Sequence, residues 1–151
     1  MRDSKPKILV VDDDQAVRNS LSMILEEIGY GVRTAEDGFS ALALMRLELP
    51  DILLSDLNMP GMSGFELLPV VKSRFPTMLT IAMSGAFYGD EMPSGVVADA
   101  FYQKGSNISS LLMILNSLRR AAPPSAQFRE RFRIARRSVF PRLLKLKYFN
   151  H

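Results

Sequence analysis

Unbroken apolar runs of strand length, alternating with segments of helical period, constrain this chain more than any other feature. The strong runs are Ile8-Leu9-Val10-Val11, Ile52-Leu53-Leu54 and Met78-Leu79-Thr80-Ile81-Ala82-Met83. Weaker ones lie at Val32-Arg33-Thr34 and Ala100-Phe101-Tyr102. A strand covered on both faces reads as a continuous apolar run, whereas one with a wet face alternates. Between the runs, Val17, Leu21, Ile24, Leu25 and Ile28 fall on one helical stripe that Gly29 stops. Ala41, Leu42, Met45 and Leu49 repeat the pattern before Pro50. Ser63 and Glu66 form a capping box for a third helix, with Met62 and Leu67 as its staple, and Pro69 predicts a kink within it. Ile108, Leu111, Leu112, Leu115 and Leu118 make the last stripe, ending at Arg119-Arg120. Strand and helix thus alternate about five times, which predicts a parallel sheet with right-handed crossovers and helices on both faces. Segment 86–97 departs from the pattern: Gly89, Pro93 and Gly95 leave room for little more than a short or broken fourth helix.

With 151 residues, the chain has room for one domain with a sizeable core and some surplus. The absence of cysteine excludes disulfide frameworks, thiolate metal sites and thiol catalysis together. The charged start, Met1 to Lys7, precedes an apolar run too short for a signal-peptide core, and no later stretch has membrane-spanning length. The expected location is therefore the cytoplasm.

The net charge of +3 conceals two opposite segments. Residues 1–122 hold eleven Lys/Arg against fifteen Asp/Glu, and residues 123–151 hold eight against one. Ala121-Ala122-Pro123-Pro124-Ser125 reads as the boundary between them. In the tail, Phe128, Phe132, Ala135 and Val139 share a helical face among Arg129, Arg131, Arg133, Arg136 and Arg137. A basic extension, helical or partly disordered and without a recognisable output domain, is expected there. It is too short for a helix-turn-helix module. Its partners would be the acidic body of the same chain, an acidic protein surface, an anionic membrane or, less readily, nucleic acid. His151, the only histidine, is assigned no role.

The candidate chemistry sits at the ends of the predicted strands. Asp12-Asp13-Asp14 follows the first and Asp56 the third, within Leu54-Ser55-Asp56-Leu57-Asn58-Met59-Pro60-Gly61-Met62-Ser63-Gly64. Ser84 ends the fourth and Lys104 the fifth. In an open α/β sheet the carboxyl ends of the strands share one edge, so these residues would meet in one cleft. Crowded carboxylates make a hard, oxygen-only site suited to Mg²⁺ or Mn²⁺. Beside such a cation an aspartate is a competent nucleophile towards phosphorus. A hydroxyl such as that of Ser84 and an ammonium such as that of Lys104 would neutralise the remaining phosphoryl oxygens. Asp14 reads equally as the cap of the first helix.

These residues, in this order over roughly 5–120, resemble the receiver domain of two-component response regulators. The most specific element is the Asp56 loop. The resemblance implies a flavodoxin-like fold with strand order 2-1-3-4-5, and Asp56 as phosphoacceptor. It implies Asp13 and Asp12 as metal ligands, the latter directly or through water, and the Asn58 backbone carbonyl as another. Ser84 would turn its hydroxyl onto the phosphoryl group, Lys104 would pair with it, and Phe101 stands at the aromatic switch position, where tyrosine is common. The phosphoryl donor would be a sensor histidine kinase or phosphotransfer protein, and the output a downstream protein target. Three departures stand out: Gly105 where proline is usual, the Gly/Pro-broken segment 86–97, and apolar Ala86 two residues after Ser84. They motivate a second expectation, a receiver-like binding module that works without phosphate. A third is a phosphatase resembling the haloacid dehalogenases, on Asp12-x-Asp14, although Ala16 stands where that family has threonine.

Overall fold

The computed structural model describes residues 5–86 and 92–121. The elements in order are β1 (Lys7–Val11), α1 (Gln15–Glu27), β2 (Gly31–Ala35), α2 (Gly38–Leu47), β3 (Ile52–Asp56), α3 (Gly64–Arg74), β4 (Leu79–Ser84), β5 (Ala100–Gln103) and α4 (Ile108–Ala121). The five strands form one sheet of order β2-β1-β3-β4-β5, and every neighbouring pair is parallel. The fold is the flavodoxin-like one expected. The tail 123–151, its amphipathic face and the sequence boundary after Ala121 lie outside the described residues.

Each central strand feeds two apolar layers, which is why its sequence does not alternate. Ile8 and Val10 join the cluster under α1 and α4, with Leu21, Leu25, Leu111 and Leu115. Leu9 and Val11 point the other way, into the cluster under α2 and α3 with Ala41, Met45, Leu67, Leu68 and Val71. Fully burying a leucine contributes about 1.5–3 kcal/mol, so the two layers account for the order of the central strands.

The helix ends follow their expected chemistry. Asp14 caps α1, its carboxylate accepting from the N–H groups of Ala16 and Val17. At the other end, Gly29 N–H donates to the Glu26 carbonyl and Tyr30 N–H to that of Leu25, the paired bonds of a Schellman motif. Ser63 Oγ accepts from Glu66 N–H and caps α3. That helix continues through Pro69. The carbonyl left without its donor is that of Phe65, a residue exposed enough for water to serve it.

Between β4 and β5 the described residues depart from regular alternation. No helix occurs among them; instead Val96 N–H donates to the Pro93 carbonyl and closes a turn. The start of β5 is fastened by polar groups. Asp99 accepts from Thr80 N–H at 2.8 Å and from the Lys72 ammonium at 2.7 Å, and donates its own N–H to the Thr80 carbonyl at 2.9 Å. Thr80 is buried and Lys72 belongs to α3, so this clip joins the edge strand to its neighbour and to a helix at once.

Candidate functional site

Two strand tips, those of β1 and β3, bring the acidic residues together. Asp12 follows β1, its N–H donating to the Ala35 carbonyl at the end of β2. Its Oδ1 accepts from Asp14 N–H at 2.9 Å, which fixes the carboxylate relative to the α1 cap. Asp56 ends β3, opposite Met83 in the ladder. Both carboxylates are buried while Asp13 is exposed, and one oxygen of each of Asp12, Asp13 and Asp56 lies within 4.8 Å of the others.

The loop after Asp56 is shaped by a close approach. A Cβ at Gly64 would sit 2.1 Å from the Asp56 carbonyl oxygen. Only glycine lets α3 begin that near β3, and Gly64 N–H donates to the Leu57 carbonyl. Asn58 is exposed at the cleft, with its backbone N–H directed at the Asp56 carboxylate.

The ammonium comes from the opposite side. Lys104 immediately follows β5, rather than ending it, and its N–H prolongs the ladder onto the Ser84 carbonyl at 2.9 Å. Ser106 N–H donates to the Gln103 carbonyl across Lys104 and Gly105, and Gly105 has φ 80°. This is a type II turn, whose third residue takes a positive φ. The proline usual there has φ fixed near −65° and could not adopt this conformation. No cis peptide occurs among the described residues. From this turn the Lys104 Nζ reaches Asp12 Oδ2 at 2.6 Å and Asp56 Oδ2 at 3.1 Å.

The electrostatics follow from burial and these contacts. Burial raises the Asp56 pKa; the Lys104 hydrogen bond opposes this and the Asp12 charge adds to it, leaving the carboxyl above its ordinary value. For Lys104, burial alone would lower the pKa, but close contacts with the Asp12 and Asp56 carboxylates outweigh it and the ammonium is held more firmly. Ser84 is fully buried, and its Oγ accepts from Ala86 N–H at 3.2 Å. Phe101 is half-buried against the layer under α2 and α3.

Asp12, Asp13, Asp56, Asn58, Ser84 and Lys104 therefore lie on or beside the carboxyl edge of the sheet, whereas Phe101 lies within β5. Two polar residues at this edge were not anticipated. Arg18 Nη1 donates to the Asp12 carbonyl at 2.7 Å from the first turn of α1; its signal was a cation one helical turn past Asp14. Gln103 Nε2 bridges the Ser84 and Ala86 carbonyls, and only its place beside Lys104 could have pointed to it.

A doubly wound parallel sheet of order β2-β1-β3-β4-β5, with its ligand crevice at the carboxyl edge, defines the flavodoxin-like class of α/β proteins. Within it, the chain belongs to the response regulator receiver domain family, whose model matches residues 8–111. It is thus a receiver of two-component signalling. The probable transcriptional regulatory protein TcrX of Mycobacterium tuberculosis is 31% identical over 115 residues, covering 75% of this chain and 49% of that protein. The chain spans about half the length of this relative, and 53% of the response regulator MprA of Mycobacterium avium, which is 33% identical. Among solved structures, the chemotaxis protein CheY4 of Vibrio cholerae superposes with a TM-score of 0.68 at 32% identity, over 75% of this chain and 98% of that one. The response regulator TrrA of Thermotoga maritima, in complex with Mg²⁺ and BeF, gives a TM-score of 0.67 at 30% identity, with 75% and 98% covered. No helix among the described residues is long and apolar enough to cross a membrane.

Proposed function

We propose that this receiver takes a phosphoryl group from a phosphohistidine onto Asp56. The reading is carried by one observation: carboxylate oxygens of Asp12, Asp13 and Asp56 gather within 4.8 Å while the Lys104 ammonium touches two of the three residues. A carboxylate oxygen of Asp56 attacks phosphorus. The P–O bond forms as the P–N bond breaks, and the electron pair returns to the imidazole nitrogen, which takes up a proton. Lys104, kept charged by its carboxylate partners, pairs with one phosphoryl oxygen, and the Ser84 hydroxyl donates to another.

The donor set fits a divalent metal. All three side chains offer hard oxygens, and the buried Asp12 Oδ2 has no aligned hydrogen-bond donor although the ammonium is near. Asp12, Asp13 and Asp56, with the Asn58 carbonyl, would hold Mg²⁺ or Mn²⁺, which would neutralise charge on the transferring group. Phe101 would carry the change of state to a protein-binding surface. A sensor histidine kinase or phosphotransfer protein is the donor this chemistry calls for.

Incubation with acetyl phosphate and Mg²⁺ is expected to add one phosphoryl group by intact mass, and Asp56→Asn to abolish the gain. Equal labelling of the variant overturns the assignment. A second reading, a binding module that acts without phosphate, is favoured by the Gly105 turn beside Lys104, which a proline could not adopt. A wild-type protein that stays silent to beryllium fluoride with Mg²⁺ would select it.

A further inference from the structure

We infer that Gln103 is a positioning residue that latches the Ser84 loop in its resting form and so sets how readily the cleft engages a phosphoryl group; this rests on the phosphoacceptor reading above. Its side-chain amide has two N–H donors. Nε2 donates to the Ser84 carbonyl at 3.1 Å and to the Ala86 carbonyl at 2.8 Å. Ala86 N–H in turn donates to Ser84 Oγ at 3.2 Å. The residue that holds the reactive hydroxyl in place is therefore itself held by Gln103.

The base of the latch is firm. The Gln103 carbonyl accepts from Ser106 Oγ at 2.6 Å and from Ser106 N–H at 3.2 Å, and the Tyr102 hydroxyl donates to the Ser106 carbonyl at 3.3 Å. These bonds belong to the turn that carries Lys104. One side chain thus links the hydroxyl loop and the ammonium turn, the two groups that would meet the same phosphoryl group from different strands.

The direction of the effect follows from hydrogen-bond bookkeeping. Turning the Ser84 hydroxyl onto a phosphoryl oxygen at Asp56 draws Oγ off Ala86 N–H, and the clasp on the Ala86 carbonyl stops that residue from following. The bound state must break the latch or strain it. At the usual net contribution of a single hydrogen bond, the latch favours the resting loop by about fivefold.

The test uses the full chain and Gln103→Met, which keeps length and removes the donors. Amide hydrogen exchange at Ala86, read without any ligand, should quicken by about fivefold. In the presence of saturating Mg²⁺, beryllium fluoride should bind about fivefold more tightly than to wild type. Ser106→Ala, which loosens the base of the latch while leaving the amide, should move both readouts the same way. Unchanged Ala86 exchange in Gln103→Met overturns the latch. So does faster exchange with unchanged or weaker beryllium fluoride affinity, provided that wild type binds in an Asp56-dependent manner. A wild type that binds no beryllium fluoride instead removes the phosphoacceptor reading, and with it the functional half of the inference.

Discussion

At Gly64 a single hydrogen atom takes the place of a side chain. The hypothetical Cβ lies 2.1 Å from the Asp56 carbonyl oxygen and 2.9 Å from Leu57 Cα. Both are backbone atoms that cannot swing aside. Gly64→Ala is therefore expected to destabilise the fold by about 3 kcal/mol or more, the range of strongly overpacked core sites, and to displace Asp56. Urea denaturation followed by acetyl phosphate labelling measures both effects. Asp37 makes a gentler case. Its carboxylate caps α2 by accepting from Ser40 N–H at 2.7 Å, and that bond holds its pKa below the ordinary 3.8. A depressed folded-state pKa stabilises at neutral pH, and the contribution fades as pH falls below 3.8 through the folded value. Asp37→Ala should cost about 1 kcal/mol at pH 7. The gap between the two proteins should narrow in acid, as urea midpoints across a pH series would record.

Whole secondary-structure elements were legible to the degree that local chemistry specified them. The strand runs, the Asp14 and Ser63 caps and the stop at Gly29 are short-range signals, and each appears where its residues stand. The strand-end residues Asp12, Asp56, Ser84 and Lys104 could be placed in one cleft because a parallel sheet puts every carboxyl end on one edge. What could not be read depends on pairs distant in sequence. Lys72 and Asp99 are 27 residues apart, and nothing in either neighbourhood announces the partner. Gly105 was visible as a departure, but its reason, the type II turn, needed the Gln103–Ser106 bond. The clip at Asp99 yields a prediction for β5. Asp99→Ala removes the acceptor of both Thr80 N–H and the ammonium, leaving a part-buried donor unpaired, and should cost about 2 kcal/mol. Native-state hydrogen exchange should quicken across β5 before the central strands, which keep two neighbours each. Uniform loosening would contradict this.

For the molecule as a whole, the cleft carries more negative charge than the Lys104 ammonium balances among the described residues. Three carboxylates surround the site and Lys104 reaches two of them. Like charges held together by the fold oppose it until a cation arrives. Mg²⁺ at about a hundred times its dissociation constant should stabilise the protein by about 2.7 kcal/mol through mass action. Asp13→Asn should melt slightly higher than wild type in EDTA and lower in saturating Mg²⁺. That crossing, read by thermal denaturation, separates a metal site from an ordinary acidic surface, for which the order of the two proteins would be the same in both buffers.

The Lys72–Asp99 pair has a reach beyond its own strand. β5 lies at an edge of the sheet and leads to Lys104 in the cleft, and one part of the clip just before it is an ionic contact that dissolved salt weakens. Salt is expected to loosen that contact alone, while the Asp99–Thr80 hydrogen bonds and the β4 ladder keep the strand that precedes Lys104 in register.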